Sequence, residues 1–495
     1  MSEIENKAPE IDVTEAAAVR RMKLNELVAA GKDPFEITKF VVTAKASDVL
    51  NDYASYEGKE ISFAGRMIRR RIMGKASFAH ILDCGTPIQA YFRRDDVGEA
   101  EYAEFKKWDI GDILGLTGEV FTTHTGEVSV KITKAVLLSK SLLPLPEKYH
   151  GLQDTDLRYR QRYVDLIANP EVMDVFKKRS KIISCIRSYM ESIGFIEVET
   201  PVLNSIPGGA NARPFITHHN ALDIDMYMRI ATELYLKRLI VGGFDKVFEI
   251  GRIFRNEGMD VNHNPEFTTI ELYQAYADYN DMMDITEGLF RYCAQEVLHT
   301  EDVVYQGQTL HFGQKWPRMT MLDAVKTYTG IDFSQGTTED LIAQAKKIGV
   351  EIDDGESWGK ALYEVFDQKV EEKLIQPIFI IDYPVEVSPL AKRKPSDKRL
   401  TERFECFMMA REIGNAFSEL NDPIDQRGRF EQQARERAKG DDEAQFMDED
   451  FVNALEYGMP PTGGLGIGID RMVMILTDTY SIRDVLLFPT MKPKK

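Results

Sequence analysis

In GRIFRNEGMDVNHNPEFTTIELYQAY (residues 251–276), two runs of alternating apolar and charged residues flank a polar loop. Side chains on a strand point to opposite faces in turn. With 247–257 extended, Phe248, Ile250 and Phe254 fall on one face and Glu249, Gly251, Arg255 and Glu257 on the other. With 267–276 extended, Ile270 and Leu272 share a face, and Phe267, Thr269, Glu271 and Tyr273 take the opposite one. The pattern predicts a hairpin with a nine-residue loop, Gly258 to Glu266, carrying His263 between Asn262 and Asn264. A solvated sheet face with cross-strand ion pairs would use the same charges. An arginine, a ring and carboxylates on one face, with a glycine opposite the ring, also suit a phosphate, a flat base and a cation.

The surrounding chain bounds that choice. Its 495 residues exceed one core and suggest about two to four domains. A hydrophobic content of 43% with 29% charged residues is ordinary for a globular protein. The N-terminus lacks the apolar core of a signal peptide, and no apolar run approaches the roughly 18–20 residues of a membrane span. Cys84, Cys185, Cys293 and Cys406 form no close pair, so neither a disulfide framework nor a zinc site is expected and a reducing cytoplasm fits best. The formal net charge of −18 argues against indiscriminate nucleic-acid binding but not against a local basic patch.

Residues 14–30 read as a charged helix closed by Gly31 and Pro34. From about 60 to 140, KEISFAGRMIRRRI, ASFAHILDC, PIQAYFRR, GDILGLTGEVF and GEVSVKITKAVLL are five strand candidates separated by turns such as DCGTP and THTGE. A small five-stranded barrel of the OB type is the economical reading. SKSLLPLPEKYHGL (139–152), with Pro144 and Pro146, reads as a linker. Beyond it a helix over 171–193 carries an apolar stripe and ends at Gly194; FIEVETPVL then reads as a strand broken by Pro201. The stretch 281–400 holds several helical patterns and one buried strand, PIFIIDY. The expected division is a helical extension over 1–55, a barrel over 56–140, a linker over 141–165 and one large domain over 166–495.

FRNEG and PEFTTIELYQAY resemble motif 2 of the class II aminoacyl-tRNA synthetases. GFIEVETPVL resembles their motif 1, and GGLGIGIDRMVM (463–474) their motif 3. IPGGANARPFITHHNALDIDMYMRIATELYLKRLIVGG, HGLQDTDLRYRQRYVDL and REIGNAFSELNDP are similar to the lysyl-tRNA synthetases of the bacterial type. The resemblance implies a multidomain α+β chain, with an OB-fold barrel before a catalytic domain built on a mixed, mostly antiparallel sheet with flanking helices. The motifs would fall at about 194–203, 247–276 and 463–476, with a helical insertion within about 281–400.

The implied reaction joins lysine to ATP as an adenylate and then to tRNA(Lys), without a protein nucleophile. Arg255 would hold the amino-acid carboxylate and the α-phosphate; Arg471 would pack under adenine and meet the γ-phosphate. By the same resemblance Phe267 stacks on adenine, Glu257 accepts from its amino group, and His263 and Asn264 belong to the ATP site. Glu405 and Glu412 match the family's Mg²⁺ positions, with more than one ion per subunit implied, Glu405 also lying in the ATP site. Strict alternation would set Glu412 opposite Asn415, so a bulge near Gly414 is expected. For lysine, Glu419, Glu271 and Tyr273 would face the ε-ammonium, and Glu233 with the backbone near Gly209 the α-ammonium. Asn415 would help to hold the carboxylate and Phe417 would line the stem. Gly464, Gly466 and Gly468 would let backbone approach a ligand, Gly466 within the lysine site. Carboxylates left unpaired in the empty pocket would be strained.

In RMIRRRIMGKASFAH the basic residues Arg66, Arg69, Arg70, Arg71 and Lys75 precede Phe78, a pairing suited to unstacked RNA bases. By resemblance Arg71, Phe78, Gln89 and Glu127 would meet the anticodon loop. The family also implies a cytoplasmic homodimer. Rival readings are an aspartyl- or asparaginyl-type synthetase, an enzyme attaching lysine to a protein, and a non-catalytic RNA-binding relative; Glu233, Glu271 and Glu419 favour a cationic substrate over the first.

Overall fold

The computed structural model describes residues 13–146, 152, 154–353, 355–438 and 446–493. The first twelve residues of the expected extension, and 147–151 and 153 of the expected linker, lie outside the described residues. By internal contacts the chain forms two units, Met1–Asp174 and Val175–Lys495.

In the first unit a helix Val13–Ala29 stops at Gly31, which takes φ +69°. Five strands follow: β1 (Glu60–Met73), β2 (Ala76–Asp83), β3 (Thr86–Arg93), β4 (Ile113–Thr122) and β5 (Val128–Ser139). They close into a barrel in the order β1-β2-β3-β5-β4, which leaves no free sheet edge. Alternation sends Phe63, Ile81, Phe92, Leu116 and Ile132 into its core. Register shifts at Met67/Arg69 and Thr117/Gly118 supply the bends that closure needs. Thr155–Arg160, within the expected linker, and Arg162–Ala168, which runs past its end, are helical, and Arg162 is buried against Asp165 at 2.6 Å.

The second unit adds β6 (Ile196–Glu197), β7 (Leu203–Asn204), β8 (Ile216–His219), β9 (Ile224–Met228), β10 (Lys246–Phe254), β11 (Glu266–Ala275), β12 (Asp302–Tyr305), β13 (Gln308–His311), β14 (Arg318–Thr320), β15 (Ile378–Ile381), β16 (Arg403–Phe407), β17 (Glu412–Ser418) and β18 (Thr462–Gly468). Eight of them form one sheet in the order β14-β15-β16-β17-β18-β11-β10-β6. Only the end pairs β14/β15 and β10/β6 are parallel, so the sheet is mixed and mostly antiparallel. The strand expected from FIEVETPVL shrinks to Ile196–Glu197, because the chain turns away toward Pro201 after two residues of pairing.

One sheet face is apolar. Phe248, Ile270, Leu272, Leu465, Ile467, Phe404 and Cys406 pack with the helices Glu171–Ser192, Tyr279–Leu298 and Ile469–Leu476. Gly194, at φ +89°, ends the first of these helices, and an Asp278–Asp281 capping box starts the second. At the β14–β16 end, helices Met321–Thr329, Thr338–Lys347 and Trp358–Lys369 bury a separate core over Ile378, Ile380 and Phe407. Thr320, Thr337 and Ser357 cap them, each accepting a backbone N–H. The opposite face, between β10 and β16, is left for polar groups.

Candidate active site

The ladder aligns that polar face. Glu271 pairs with Gly466, Gly466 with Asn415, and Asn415 with Glu405; Tyr273 pairs with Gly464, Gly464 with Phe417, and Phe417 with Arg403. Directly paired residues of an antiparallel ladder share a face. A row of side chains on four adjacent strands therefore converges on one cavity of about 460 Å³. Every residue of the second unit singled out from sequence lines it: Gly209, Glu233, Arg255, Glu257, His263, Asn264, Phe267, Glu271, Tyr273, Glu405, Glu412, Asn415, Phe417, Glu419, Gly466 and Arg471.

The hairpin differs from its expected form in two respects. Strand β10 ends at Phe254, so the loop spans 255–265, and Glu257 is an exposed loop residue rather than a strand residue. Gly251 pairs with Thr269, not with Phe267, and a side chain there would overlap Arg229. Arg229 itself reaches Glu249 at 2.5 Å and the carbonyls of Thr200 and Arg252 at 3.2 and 2.8 Å, so that charge pair braces motif 1 behind the site.

Arg255 and Phe267 stand on the same side, the guanidinium carbon 5.2 Å from the ring centroid. The only side-chain hydrogen bond recorded for Arg255 among the described residues is a long one, 3.5 Å from Nε to the Ile230 carbonyl. Burial pushes its pKa down while Glu257, Glu412 and Glu271 push it up. A guanidinium remains charged through such shifts, and its fork is available for an anion.

His263 donates Nδ1–H to Asp260 at 2.9 Å, which leaves Nε2 to accept from Arg471 at 3.4 Å. It therefore both ties the loop and faces the arginine. Arg471 also donates to the Glu412 carbonyl, and its Nη1 lies 3.7 Å from the Glu412 carboxylate. Asn264 lines the cavity, and its amide bonds at both ends: Nδ2 donates to the Glu266 carbonyl at 2.6 Å, and Oδ1 accepts from the Thr490 N–H at 3.2 Å. It ties the loop and keeps a second N–H and a second lone pair.

The expected bulge is present. Cys406 pairs with Gly414 and Phe407 with Glu412, so Ile413 is the extra residue and Glu412 turns to the cavity side. Glu405 accepts from Arg403 at 2.5 Å and from the Tyr383 hydroxyl at 2.9 Å. Burial, with the Glu412 charge adding to it, pushes the Glu405 carboxyl up to about 7 against the pull of Arg403. Among the described residues no cluster of three or more metal-type side chains exists.

At the other end, Glu419 is 0% exposed. Its Oε2 lies 2.5 Å from Lys237 Nζ, and Lys237 also donates to Glu233 at 2.5 Å. This corrects the expectation of unpaired carboxylates: a buried charge is too costly to leave alone, and the chain supplies its own cation. Glu419 Oε1 has no hydrogen-bond partner among the described residues and lies against Gly464 on the cavity wall. A side chain on Gly464 would overlap that oxygen and the Tyr273 ring, so this glycine makes room for protein rather than ligand. Gly466 is different. A Cβ there meets nothing nearer than Glu271 Cγ at 3.7 Å and the Asn415 carbonyl at 3.9 Å. Glu271 accepts from the Thr232 N–H at 3.2 Å, and burial followed by the Glu233 charge pushes its carboxyl up to about 7. Gly209 takes φ +87°, which only glycine adopts without strain, and brings the backbone beside Glu233.

Two residues of the site went unread in the sequence. Lys237 sits one helical turn after Glu233, and Arg403 alternates with Glu405 on β16, so i,i+4 and i,i+2 spacing carried the signal. Arg403 donates to Asn415 at 3.1 Å, to the Val387 carbonyl at 2.6 Å and to Glu405, joining the carboxylate to the amide.

On the barrel, Arg71 pairs with Phe78, Phe78 with Tyr91 and His80 with Gln89, all on the outer face. The Phe78 and Tyr91 rings are 4.9 Å apart. Gln89 donates to Glu127 at 2.7 Å and accepts from Ser129 at 2.8 Å. Two of the five expected basic groups are not free for RNA: Arg66 donates to the Gly111 carbonyl at 2.7 Å, and Arg70 donates to the Phe105 carbonyl at 2.9 Å. Arg69, Arg71 and Lys75 remain exposed.

Residues 154–492 match the class II tRNA synthetases (D, K and N), and residues 61–138 match the OB-fold nucleic-acid-binding domain. A lysine–tRNA ligase of Thermoanaerobacter pseudethanolicus is 59% identical over 98% of this chain and 97% of its own. One of Clostridium perfringens is 57% identical over 100% and 99%, and one of Moorella thermoacetica 58% over 97% and 98%. The chain belongs to the class II tRNA synthetases and, among them, to the lysine–tRNA ligase family.

Proposed function

We infer that this enzyme activates L-lysine with ATP and transfers it to tRNA(Lys), and that the cavity residues divide that work between its two ends. The observation that supports the division is one lined space with a free guanidinium fork stacked on a ring at one end and a buried carboxylate with an unpartnered oxygen at the other. Lysine enters with its ammonium groups toward Glu233, Glu271 and Glu419 and its carboxylate toward Arg255. Phe417 borders the aliphatic stem and Asn415 the carboxylate.

A carboxylate oxygen of lysine attacks the α-phosphorus of ATP, the bond to the β-phosphate oxygen breaks, and pyrophosphate leaves. Two anions must meet, so a planar cation shared between them lowers their repulsion and aligns them. The terminal ribose hydroxyl of tRNA then attacks the lysyl carbonyl, loses its proton, and AMP departs. Adenine stacks on Phe267, Glu257 meets its amino group, and Arg471 and His263 meet the outer phosphates.

The residues present fit Mg²⁺. Two carboxylates, Glu405 and Glu412, flank the phosphate side of the cavity, and burial strains the charged form of Glu405 in a way a cation relieves. When bound, Mg²⁺ neutralises phosphate charge. Arg403 and Tyr383 orient Glu405 toward that position.

Barrel residues Arg71, Phe78, Gln89 and Glu127 are assigned to the anticodon loop. A homodimer accords with exposed Ile196, Ile216 and Ile224 around motif 1. We place the enzyme in the cytoplasm, where charged tRNA is consumed; no described helix is long and apolar enough to cross a membrane. Amino-acid-dependent ATP–pyrophosphate exchange, run with each of twenty amino acids, tests the reading: lysine alone sustains it at low concentration. Exchange driven best by aspartate or asparagine, or by none, overturns it.

A further inference from the structure

Lys237 is wholly buried, yet it does not line the cavity. Its ammonium lies 2.5 Å from Glu233 Oε1 and 2.5 Å from Glu419 Oε2, and both carboxylates do line it. The neighbouring elements present few other charges to it. Tyr273 of β11 and Phe451 of the helix Glu449–Glu456 each place a ring centroid 5.9 Å from Nζ. Glu233 and Glu419 are the carboxylates that act on it, Glu271 on β11 acts with them on Tyr273, and Arg238 beside Lys237 turns instead to Asp448 and Asp450.

We propose that Lys237 is a positioning residue for substrate selection: from behind the slot it holds one oxygen each of Glu233 and Glu419 and so aims their remaining oxygens at the two ammonium groups of lysine. This rests on the reading of the cavity as a lysine site.

The charges support it. Glu233, Glu271 and Glu419 bring three carboxyl groups to the slot and Lys237 meets two of them directly; burial pushes the Glu419 carboxyl up to about 8 and Lys237 pulls against it. Without Lys237, carboxylates brought this close would share a proton, as like charges in one site do. A protonated acid faces an ammonium poorly. The substrate would then have to expel that proton to bind. A purely structural role is the competing account, but buried ion pairs are replaced by apolar residues of similar length with little loss of stability. The unpartnered Oε1 of Glu419 points to a ligand instead.

The test uses the full-length enzyme with Lys237→Met and, as a guard against misfolding, Lys237→Gln. Pyrophosphate exchange is followed between about pH 6 and pH 9, and lysine binding by calorimetry in buffers of differing ionisation enthalpy. Both variants raise the KM for lysine by about 30-fold or more at pH 7, the size of effect seen when one member of a buried charge pair is lost. The gap narrows as pH rises, the KM for ATP shifts by less than about threefold, and about one additional proton is released per lysine bound. A pH-independent loss shared by both substrates, or an unchanged pH profile with normal exchange, overturns the inference and leaves the function standing. No lysine-dependent exchange in the unsubstituted enzyme overturns the function itself. Should neither variant fold, the unsubstituted enzyme crystallised with lysine still decides: Lys237 Nζ within about 3 Å of both Glu233 and Glu419, with the substrate's ammonium groups on their other oxygens, supports the inference, and Lys237 turned from either carboxylate refutes it.

Discussion

Replacing Gly466 with alanine separates what the fold needs from what the substrate needs. A Cβ at 466 sits at ordinary van der Waals distance from Glu271 and Asn415, and its backbone is not left-handed. The folded protein therefore accepts it, and the reduced freedom of the unfolded chain adds about 0.4–1 kcal/mol of stability. The substrate does not accept it. The added methyl enters the space between Glu271 and Asn415 where the lysine main chain lies in our assignment, and overpacking of that kind costs about 1–3 kcal/mol. At about 1.4 kcal/mol per tenfold, kcat/KM for lysine falls by about 5- to 150-fold. Gly464→Ala is the contrast: its Cβ overlaps Glu419, which Lys237 pins, and the buried Tyr273, so stability drops by about 1–3 kcal/mol or more. Thermal melting and steady-state exchange on both variants check this. Equal melting temperatures for the two, or an unaltered lysine KM in Gly466→Ala, would refute the division.

Glu419→Gln leaves lysine activation weakened by about 2–4 kcal/mol, the cost of losing one side of a buried charge pair, while the KM for ATP moves by less than about threefold; equal loss for both substrates would remove Glu419 from the slot. Arg255→Lys keeps the charge and loses the fork, so kcat for exchange falls by about 10²-fold or more with less change in substrate affinity. Glu271 titrates near 7 in the empty enzyme instead of near 4.5, so the stability its proton brings is complete below about 4.5 and is lost as pH rises through about 7. Because lysine needs the carboxylate, its affinity rises from pH 6 to pH 8 with release of a proton, which calorimetry in two buffers reads. Phe78→Ala and Glu127→Gln lower tRNA charging by about 1–3 kcal/mol per lost base contact and leave pyrophosphate exchange unchanged.

Period-two alternation was legible wherever a strand is buried on one face, which is why the five barrel strands and the β10–β11 hairpin could be read directly. It failed at FIEVETPVL, where pairing ends after Glu197, and at the loop, where Arg255 leaves the ladder sooner than its charge pattern suggests. The long-range contacts were hidden. Nothing local in LYLKRLI says that Lys237 meets Glu419, because that pair joins residues far apart in sequence: the helix Glu233–Val241 packs on β10 and β11, and Glu419 follows directly on β17. Gly464 and Gly466 look alike in GGLGIG, yet a side chain on one would overlap Glu419 while on the other it would make only van der Waals contact. Arg66 and Arg70 read as RNA contacts until the barrel closes and presents them with backbone carbonyls.

The most direct measurement is a crystal structure of the enzyme with lysine and a non-hydrolysable ATP analogue. We expect the ε-ammonium at about 3 Å from Glu419 Oε1, the carboxylate and α-phosphate bridged by Arg255, and adenine on Phe267. Lysine bound with its carboxylate toward Glu419, or an adenine away from Phe267 with Arg255 idle, would contradict the account.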